Sequence, residues 1–289
     1  MKQTGLILEG GGMRGLYTCG VLDCFLDHDI QFPYIIGVSA GACNAVSYIS
    51  GQKGRNLEVN TAFVNDWRYM SFRNLLREKS YFGMKFIFED IPNRYIPFDY
   101  NAFQKSACDL LVVTTDCDTG KPYYFDKGAF KENFDVLKAT SSLPLISPIM
   151  PLKGIKHLDG GIVEPIPIKK SIKDGNLKNV VILTRSESYR KSPEKMMSAL
   201  KFKYAKYPKL VERMNIRHQE YNDTLDLLQD LEAKGDVFII RPRREVDVDR
   251  LEKNVAKLKN LYTQGYEDTQ NVLKDLYVFL ERNLDNEKI

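Results

Sequence analysis

The sequence predicts an α/β fold, a three-layer α/β/α sandwich with a mostly parallel central sheet and a C-terminal helical extension. Short apolar runs alternate with helical or turn-rich stretches, which is the pattern of parallel strands joined by helices. These runs lie at residues 5–8, 34–37, 110–115, 123–125, 155–158, 180–183 and 237–240. Helical periodicity dominates later in the chain. We therefore expect a core region over residues 4–185 and a mainly helical extension over 186–289 packed on it.

Composition narrows the class of protein. The 289 residues are enough to bury a large core, and 42 basic residues nearly balance 38 acidic ones, for a formal charge of +4. This balance gives no indication of a nucleic-acid partner. There is no apolar signal region and no apolar run of about 18 residues, which favours a cytoplasmic protein. Five cysteines without a C-x-x-C pair favour reduced thiols over a disulfide framework or a zinc site.

The first strand run leads into a glycine-rich loop. Gly10, Gly12 and Gly15 fit the spacing G-x-G-x-x-G, and helical periodicity follows to about Asp29. A glycine loop at the start of a helix can bind an anion, because backbone N–H groups and the helix dipole point at it. The anion could be a cofactor pyrophosphate or the transient oxyanion of an ester under attack. The loop alone does not decide between them.

The second strand run argues against a dinucleotide site. A dinucleotide fold should place an Asp or Glu there, about 20 residues beyond the glycines. The strand run ends instead in Gly37-Val-Ser39-Ala-Gly41, followed by a helix-compatible stretch. The spacing G-x-S-x-G at a strand-to-helix junction is that of a nucleophile elbow, whose glycines let strand and helix pack closely around an exposed serine hydroxyl. Ser39 is therefore the candidate nucleophile.

A serine nucleophile needs a base, and the chain has three histidines. His28 lies at a helix end beside two aspartates and His218 lies in a charged helical stretch, so we expect both at the surface. His157 lies two residues before Asp159 in a strand run, so the two side chains should stand side by side. A histidine that bridges a serine and an aspartate must instead lie between them.

Asp159 is the stronger candidate base. It is followed by Gly160 and Gly161, which can turn the chain sharply and bring the carboxylate to Ser39. The sequence therefore favours a direct contact of carboxylate and serine over a triad with histidine.

Three blocks in this order resemble the signature blocks of the patatin-like phospholipases: the loop 10–15, the elbow 37–41 and the Asp-Gly-Gly run 159–161. A looser fourth block, 139–144, is similar to an Ala-Ser-rich segment of that family and carries Thr140 where serine is more usual. The resemblance covers residues 4–185, and the helical tail is similar to that of bacterial members.

The resemblance implies a serine acyl hydrolase that cleaves lipid esters, uses no cofactor or metal, and degrades phospholipid-type substrates. Ser39 would be the nucleophile and Asp159 the proton acceptor of a two-residue dyad. The oxyanion hole would be formed by backbone amides of the loop Gly10, Gly11, Gly12, Met13, Arg14 and Gly15. Two alternatives stay open: a thioesterase or small-ester esterase, and a non-catalytic lipid-binding or regulatory protein. No oligomeric state is indicated.

Arg14 and three longer regions have two interpretations each. The Arg14 side chain either binds a substrate phosphate or pairs with a neighbouring carboxylate. The aromatic segment 81–103 is either a loop packed on the core or a cover that forms an acyl pocket, with Phe86 and Phe98 on the acyl route.

The stretch 193–208 has the pattern of a basic amphipathic helix, which either packs on the core or makes a transient contact with a membrane surface. Residues 249–283 predict a helical pair broken near Gly265, with a structural or regulatory role.

Overall fold

The computed structural model describes residues 4–130 and 133–282. In this part of the chain an eight-stranded sheet has the order β5-β6-β3-β2-β1-β7-β8, and β4 pairs with β3. The strands are β1 (Thr4–Leu8), β2 (Tyr34–Val38), β3 (Asp109–Asp116), β4 (Pro122–Asp126), β5 (Met150–Leu152), β6 (Ile155–Asp159), β7 (Lys178–Ile182) and β8 (Val237–Ile240). Neighbours from β3 to β8 are parallel, whereas β4, β5 and β6 pair antiparallel. The predicted mixed α/β class with a mostly parallel sheet is confirmed.

Helices connect and cover the strands. They are α1 (Gly15–Asp27), α2 (Ala40–Ile49), α3 (Arg55–Ala62), α4 (Phe72–Glu78), α5 (Tyr100–Lys105), α6 (Asp135–Thr140), α7 (Ile168–Lys173), α8 (Met197–Lys203), α9 (Pro208–Ala233) and α10 (Val255–Glu281). Residues Phe86–Tyr95 form a further helical segment with π-type hydrogen bonding. Single 3₁₀ turns lie at Gly12–Arg14, Lys127–Ala129 and Gly160–Ile162.

Helices lie on both faces of the sheet. In β1, Leu6 and Leu8 pack into a core that includes α1, α2 and α10, whereas Ile7 packs into a second core with α7 and α9. Successive residues of a strand point to opposite faces, so a strand covered on both sides is apolar at every position. All five residues of β1 are buried. The continuous apolar runs of the sequence therefore correspond to strands in the middle of three layers.

The helical tail differs from its prediction in one respect. We expected a break near Gly265, but α10 is one continuous helix from Val255 to Glu281. Gly265 instead permits close packing: a Cβ there would lie 2.1 Å from the Tyr17 carbonyl oxygen, and a Cβ on Gly20 would lie 2.0 Å from the Tyr262 carbonyl oxygen. The glycines let α1 and α10 cross with their backbones nearly in contact. Position 283, where the predicted pair ended, lies outside the described residues.

The basic stretch 193–208 forms only the short helix α8 and its flanks. Leu200 and Tyr204 are buried in a third cluster with residues of α9, whereas Phe202 is 89% exposed. The apolar residues of this stretch are thus divided between core and surface. The short strand β5 was not predicted, since three residues give too little pattern to recognise.

Candidate active site

Ser39 lies on a sharp turn between β2 and α2. Its backbone has φ = 52° and ψ = −122°, a conformation that costs a residue with a side chain about 1–3 kcal/mol. The flanking glycines allow this turn to sit close to the sheet. A Cβ at Gly37 would lie 2.8 Å from Cα of Ala42, and one at Gly41 would lie 2.4 Å from the Leu8 carbonyl oxygen. Larger side chains at either position would push strand and helix apart and displace Ser39.

The amide of Ser39 is held by the last residue of α6. The Ser39 N–H donates to Oγ1 of Thr140 at 2.9 Å, and the Thr140 hydroxyl donates to the carbonyl of Val113 in β3. Thr140 is fully buried. Threonine therefore supplies the hydroxyl that a serine would supply at this position, and it ties the serine turn to the sheet.

Asp159 is the last residue of β6, and its side chain lies beside that of Ser39. The pairing of β6 with β3 places it opposite Thr114, and a Cβ at Gly160 would lie 2.2 Å from the Val113 carbonyl oxygen. Its Oδ1 accepts a hydrogen bond from the Gly161 N–H at 2.7 Å. Its Oδ2 is buried and has no well-formed hydrogen bond to the described residues. One carboxylate oxygen is thus fixed and the other is free to accept a proton.

Burial raises the pKa of Asp159, and the neighbouring Ser39 hydroxyl, the Gly161 amide and the guanidinium groups of Arg217 and Arg250 lower it. The contact with Ser39 places the serine proton next to a carboxylate whose basicity exceeds that of an ordinary aspartate. Hydrogen bonds between catalytic groups are often loose without substrate and tighten when it binds.

Among the described residues, no hydrogen bond joins any of the three histidines to Ser39 or Asp159. His157 is fully buried, with its Nδ1 3.0 Å from Oγ1 of Thr114 and its Nε2 3.2 Å from the Leu152 carbonyl oxygen. Its ring packs against the rings of Tyr123 and Phe125. His28 is exposed at the end of α1, as expected, whereas His218 on α9 is half-buried. Both nitrogens of His157 are therefore engaged away from the serine.

The glycine loop after β1 curls over Ser39. Three of its amides are already used: Met13 donates to the Arg250 carbonyl, Arg14 to the Gly11 carbonyl, and Gly15 to the Gly12 carbonyl. The amides of Gly10, Gly11 and Gly12 have no acceptor within residues 4–130 and 133–282. We expected donors from all the amides between Gly10 and Gly15. Only those of Gly10, Gly11 and Gly12 remain available to an oxyanion in the described structure.

An apolar cavity leads away from one side of Ser39. It encloses about 950 Å³ of empty space, part of it open to solvent. Residues of the aromatic segment form much of its wall, together with residues of α2, α3 and α6; from this segment they are Phe82, Met84, Ile87, Phe88 and Ile91. Cys43 and Ser141 also line it near the serine. The aromatic segment thus forms one wall of a cavity that reaches Ser39.

Phe86 and Phe98, which we expected on the acyl route, do not line this cavity. Phe86 packs against the rings of Phe63 and Tyr95 and under the guanidinium of Arg68. Phe98 packs against a separate group of rings that includes Phe134. Aromatic density located a segment that lines a cavity beside Ser39, but it could not show which side chains of the segment point into that cavity.

A cationic cleft opens on the other side of Ser39. Its wall contains Ser39, Asp159, the loop glycines and five basic side chains: Arg14, Arg185, Lys191, Arg217 and Arg250. Burial and the neighbouring cations lower the pKa of Arg14 and Arg217 to about 10 and that of Lys191 to about 7. Four of these residues come from the chain beyond β7 and were missed. They lie far apart in charge-rich stretches, where no local pattern marks them.

Other site types find little support in the described part of the chain. Residues 4–130 and 133–282 contain no group of three or more His, Cys, Asp or Glu side chains placed to hold a metal ion. Among the helices that the structure describes, none is both long and apolar enough to cross a membrane.

Comparison with known proteins gives two family matches. The family model described as patatin-like phospholipase matches residues 6–171, and one described as a domain of unknown function matches residues 207–281. The chain is 26% identical over 268 residues to the uncharacterized protein YjjU of Escherichia coli K12, covering 90% of this chain and 74% of YjjU. The crystal structure of VipD from Legionella pneumophila is similar with a TM-score of 0.48 and 10% identity, covering 95% of this chain and 67% of VipD.

Proposed function

Because this chain belongs to the patatin-like phospholipase family, whose members are generally hydrolases of lipid esters, we propose that it cleaves phospholipid-type carboxylic esters through a Ser39–Asp159 dyad. The observation that carries the proposal is the position of Asp159. Its carboxylate is buried beside Ser39, one oxygen is fixed by the Gly161 amide, and the other has no well-formed hydrogen bond to the described residues.

The dyad performs acyl transfer in two halves. Ser39 Oγ attacks the ester carbonyl while its proton moves to Oδ2 of Asp159, and the alcohol leaves with that proton as the acyl-enzyme forms. Water then gives a proton to Asp159, attacks the acyl-enzyme and releases the fatty acid, with the proton returning to Ser39. Asp159 thus serves as base and acid without a histidine.

The amides of Gly10, Gly11 and Gly12 are the proposed oxyanion hole. They have no acceptor within the described residues and lie on the loop over Ser39. A backbone donor aimed at the developing oxyanion contributes about 3–4 kcal/mol to transition-state stabilisation. Gly10 approaches the serine most closely, since a Cβ there would lie 3.3 Å from Cβ of Ser39.

The acyl chain is proposed to occupy the apolar cavity, with the aromatic segment as its cover. Arg55 of α3 anchors the end of this segment by donating to the Ile96 carbonyl, and Gln52 donates to the Pro97 carbonyl.

The extension beyond residue 185 completes the site, because Arg217 of α9 donates to the Gly161 carbonyl and the Arg250 carbonyl accepts from Met13. We therefore propose that residues 4–185 and 186–289 form one functional unit, although their sequence patterns differ.

Ser39→Ala tests the proposal. Hydrolysis of glycerophospholipid in neutral detergent micelles, and of a short nitrophenyl ester, should fall by about 10³-fold or more. Ser50→Ala, at the other end of α2, is the matched control. A Ser39→Ala protein that retains its fold and hydrolyses both esters at the wild-type rate would refute the proposal. Activity on thioesters or short esters alone would support the esterase alternative.

A further inference from the structure

The cationic cleft beside Ser39 has more positive charge than the protein itself balances. Arg14, Arg185, Lys191, Arg217 and Arg250 all line it, and none of them forms a salt bridge within residues 4–130 and 133–282. They are close enough to one another to repel: Arg185 and Arg250 act on Arg14, and Arg217 and Arg250 act on Lys191. Glu194 opposes part of this repulsion at Lys191 and Arg217, but it forms no salt bridge with either. The cleft is therefore a converging group of cations without salt-bridge partners in the described part of the chain.

The wall contains two carboxylates, Glu9 and Asp159, and neither forms a salt bridge with a cleft cation. Glu9 is 3% exposed; its Oε1 accepts from the Tyr221 hydroxyl at 2.7 Å, and its Oε2 accepts from the amide and hydroxyl of Thr184. Asp159 faces Ser39. Neither carboxylate lies within salt-bridge distance of a cleft cation.

Two donor atoms of the cleft are unsatisfied. Nε of Arg14 and Nε of Arg185 are buried without a hydrogen-bond partner among the described residues, and Arg14 as a whole is only 6% exposed. Removing a cation from water costs several kcal/mol unless a partner compensates. A bound anion would compensate this cost for several side chains at once, and arginine is well suited to the oxygens of a phosphate.

We propose that this cleft binds the phosphomonoester head group of an anionic glycerophospholipid, the phosphatidic acid or lysophosphatidic acid type, and selects it over zwitterionic phospholipids. The proposal rests on the proposed function, because the bound lipid places its ester carbonyl at Ser39. The apolar cavity then takes the acyl chain and the cationic cleft takes the phosphate.

The position of the cleft favours a glycerophospholipid. Ser39, Asp159 and Gly10 to Gly12 belong to its wall, so a bound phosphate lies next to the reacting carbonyl. In a glycerophospholipid only a few covalent bonds separate phosphorus from the ester carbonyl, which fits this arrangement. In an acyl coenzyme A the long pantetheine arm holds the phosphates far from the thioester.

The charge of the cleft favours a phosphomonoester. Such a group carries about two negative charges near neutral pH, whereas a phosphodiester carries one. A choline or ethanolamine head would bring a further cation among the five. Of the two carboxylates in the wall, Glu9 has both oxygens hydrogen-bonded and Asp159 is the base of the proposed dyad. The Lys191 pKa of about 7 adds a second effect, because a bound dianion would keep this ammonium protonated.

The test compares esters that share acyl chains and differ in head group. Phosphatidic acid, phosphatidylcholine and diacylglycerol are presented in neutral detergent micelles to the wild type and to Arg185→Gln. We expect the wild type to prefer phosphatidic acid to phosphatidylcholine in kcat/KM, and Arg185→Gln to lower this preference about tenfold or more, mainly through KM. Lys191→Gln is the second variant, in case Arg185→Gln does not fold.

Arg190→Gln is the matched control. Arg190 lies on the same segment, but its guanidinium pairs with Asp226 at the surface. The Arg190→Gln variant removes the same charge as Arg185→Gln, but it should leave the head-group preference unchanged. A thermal melt with glycerol 3-phosphate gives a readout without turnover: this probe should raise the Tm of the wild type more than that of Arg185→Gln.

Equal kcat/KM for phosphatidic acid and phosphatidylcholine in the wild type would overturn the inference, as would a preference that Arg185→Gln leaves unchanged. Stabilisation by glycerol 3-phosphate without a preference for phosphatidic acid would also overturn it and assign the cleft to a free phosphate compound. In each case Ser39-dependent hydrolysis of diacylglycerol would continue. Hydrolysis that does not depend on Ser39 would instead refute the proposed function.

Discussion

The two sides of Ser39 differ in both chemistry and origin. The apolar cavity is lined mainly by aromatic and aliphatic side chains, five of them from the segment 81–103. The cationic cleft is lined by side chains from the glycine loop, the segment after β7, α9 and the segment before α10. An ester that fills both sides must be apolar at one end and anionic at the other. We therefore expect the choice of substrate to depend on both walls, because both reach Ser39.

The largest expected effect separates the two candidate bases, Asp159 and His157. Asp159→Asn should lower kcat for ester hydrolysis by about 10⁴-fold, because the amide cannot accept the serine proton. His157→Gln should retain most activity, since both ring nitrogens contact Thr114 and Leu152 rather than Ser39. Circular dichroism establishes that both variants fold. A folded but inactive His157→Gln beside an active Asp159→Asn would reverse the assignment.

A smaller change should alter the apolar side alone. Phe88→Leu enlarges the cavity, so the preference should move to longer acyl chains, by about tenfold in relative kcat/KM, the lower range for one methylene in an apolar pocket. Phe86→Leu is the matched control, because Phe86 belongs to the same helical segment but packs outside the cavity. An equal change in both variants would mean that the segment acts through stability and not through contact with the chain.

The pH dependence tests the base without a mutation. Hydrolysis requires ionised Asp159, so kcat/KM should fall about tenfold per pH unit as pH drops below its pKa. Burial raises this pKa, which moves the acidic limb above the value of about 3.9 for an ordinary aspartate. The limb should persist in His157→Gln, because the group that must be ionised is the carboxylate. A limb that disappears in His157→Gln would contradict the dyad.

The smallest expected effect concerns the surface of the α8 region. Lys201→Gln and Lys206→Gln change exposed lysines of the α8 region, where Phe202 is also exposed. If this surface contacts a membrane, each substitution should lower the affinity for anionic vesicles by about 1 kcal/mol, or about fivefold, and by less at high salt. Co-sedimentation with the vesicles measures this affinity. Lys259→Gln and Lys274→Gln on α10 are the controls. Equal binding by all four variants would remove this contact from the account.

The strand-to-helix turn that carries Ser39 could be predicted because its constraints are local. Gly37 and Gly41 are required by close backbone approach within a few residues of Ser39, and this requirement leaves a recognisable spacing. Continuous apolar runs likewise located the buried strands. These features depend on contacts between neighbouring parts of the chain, so a short window of sequence contains them.

The rest depends on contacts between distant parts of the chain. Gly265 has the local pattern of a helix end, yet its role is set by the backbone of Tyr17 in α1. Arg185, Arg217 and Arg250 have the pattern of solvated charges until α9 and the segment before α10 pack beside the glycine loop. The Met13 amide was an expected oxyanion donor, and its acceptor is the distant carbonyl of Arg250. The local periodicity of the sequence gives no information on these contacts between distant residues.

The most direct test of the central claim is the site of covalent labelling by a fluorophosphonate in the wild-type protein, mapped by mass spectrometry of its peptides. The account predicts one adduct on Ser39, formed in step with loss of ester hydrolysis and much more slowly in Asp159→Asn. Cys43 lines the same cavity, but burial raises the pKa of its thiol to about 11, so it should remain unlabelled. Inactivation with an adduct on Cys43 or Ser141, and none on Ser39, would contradict the account.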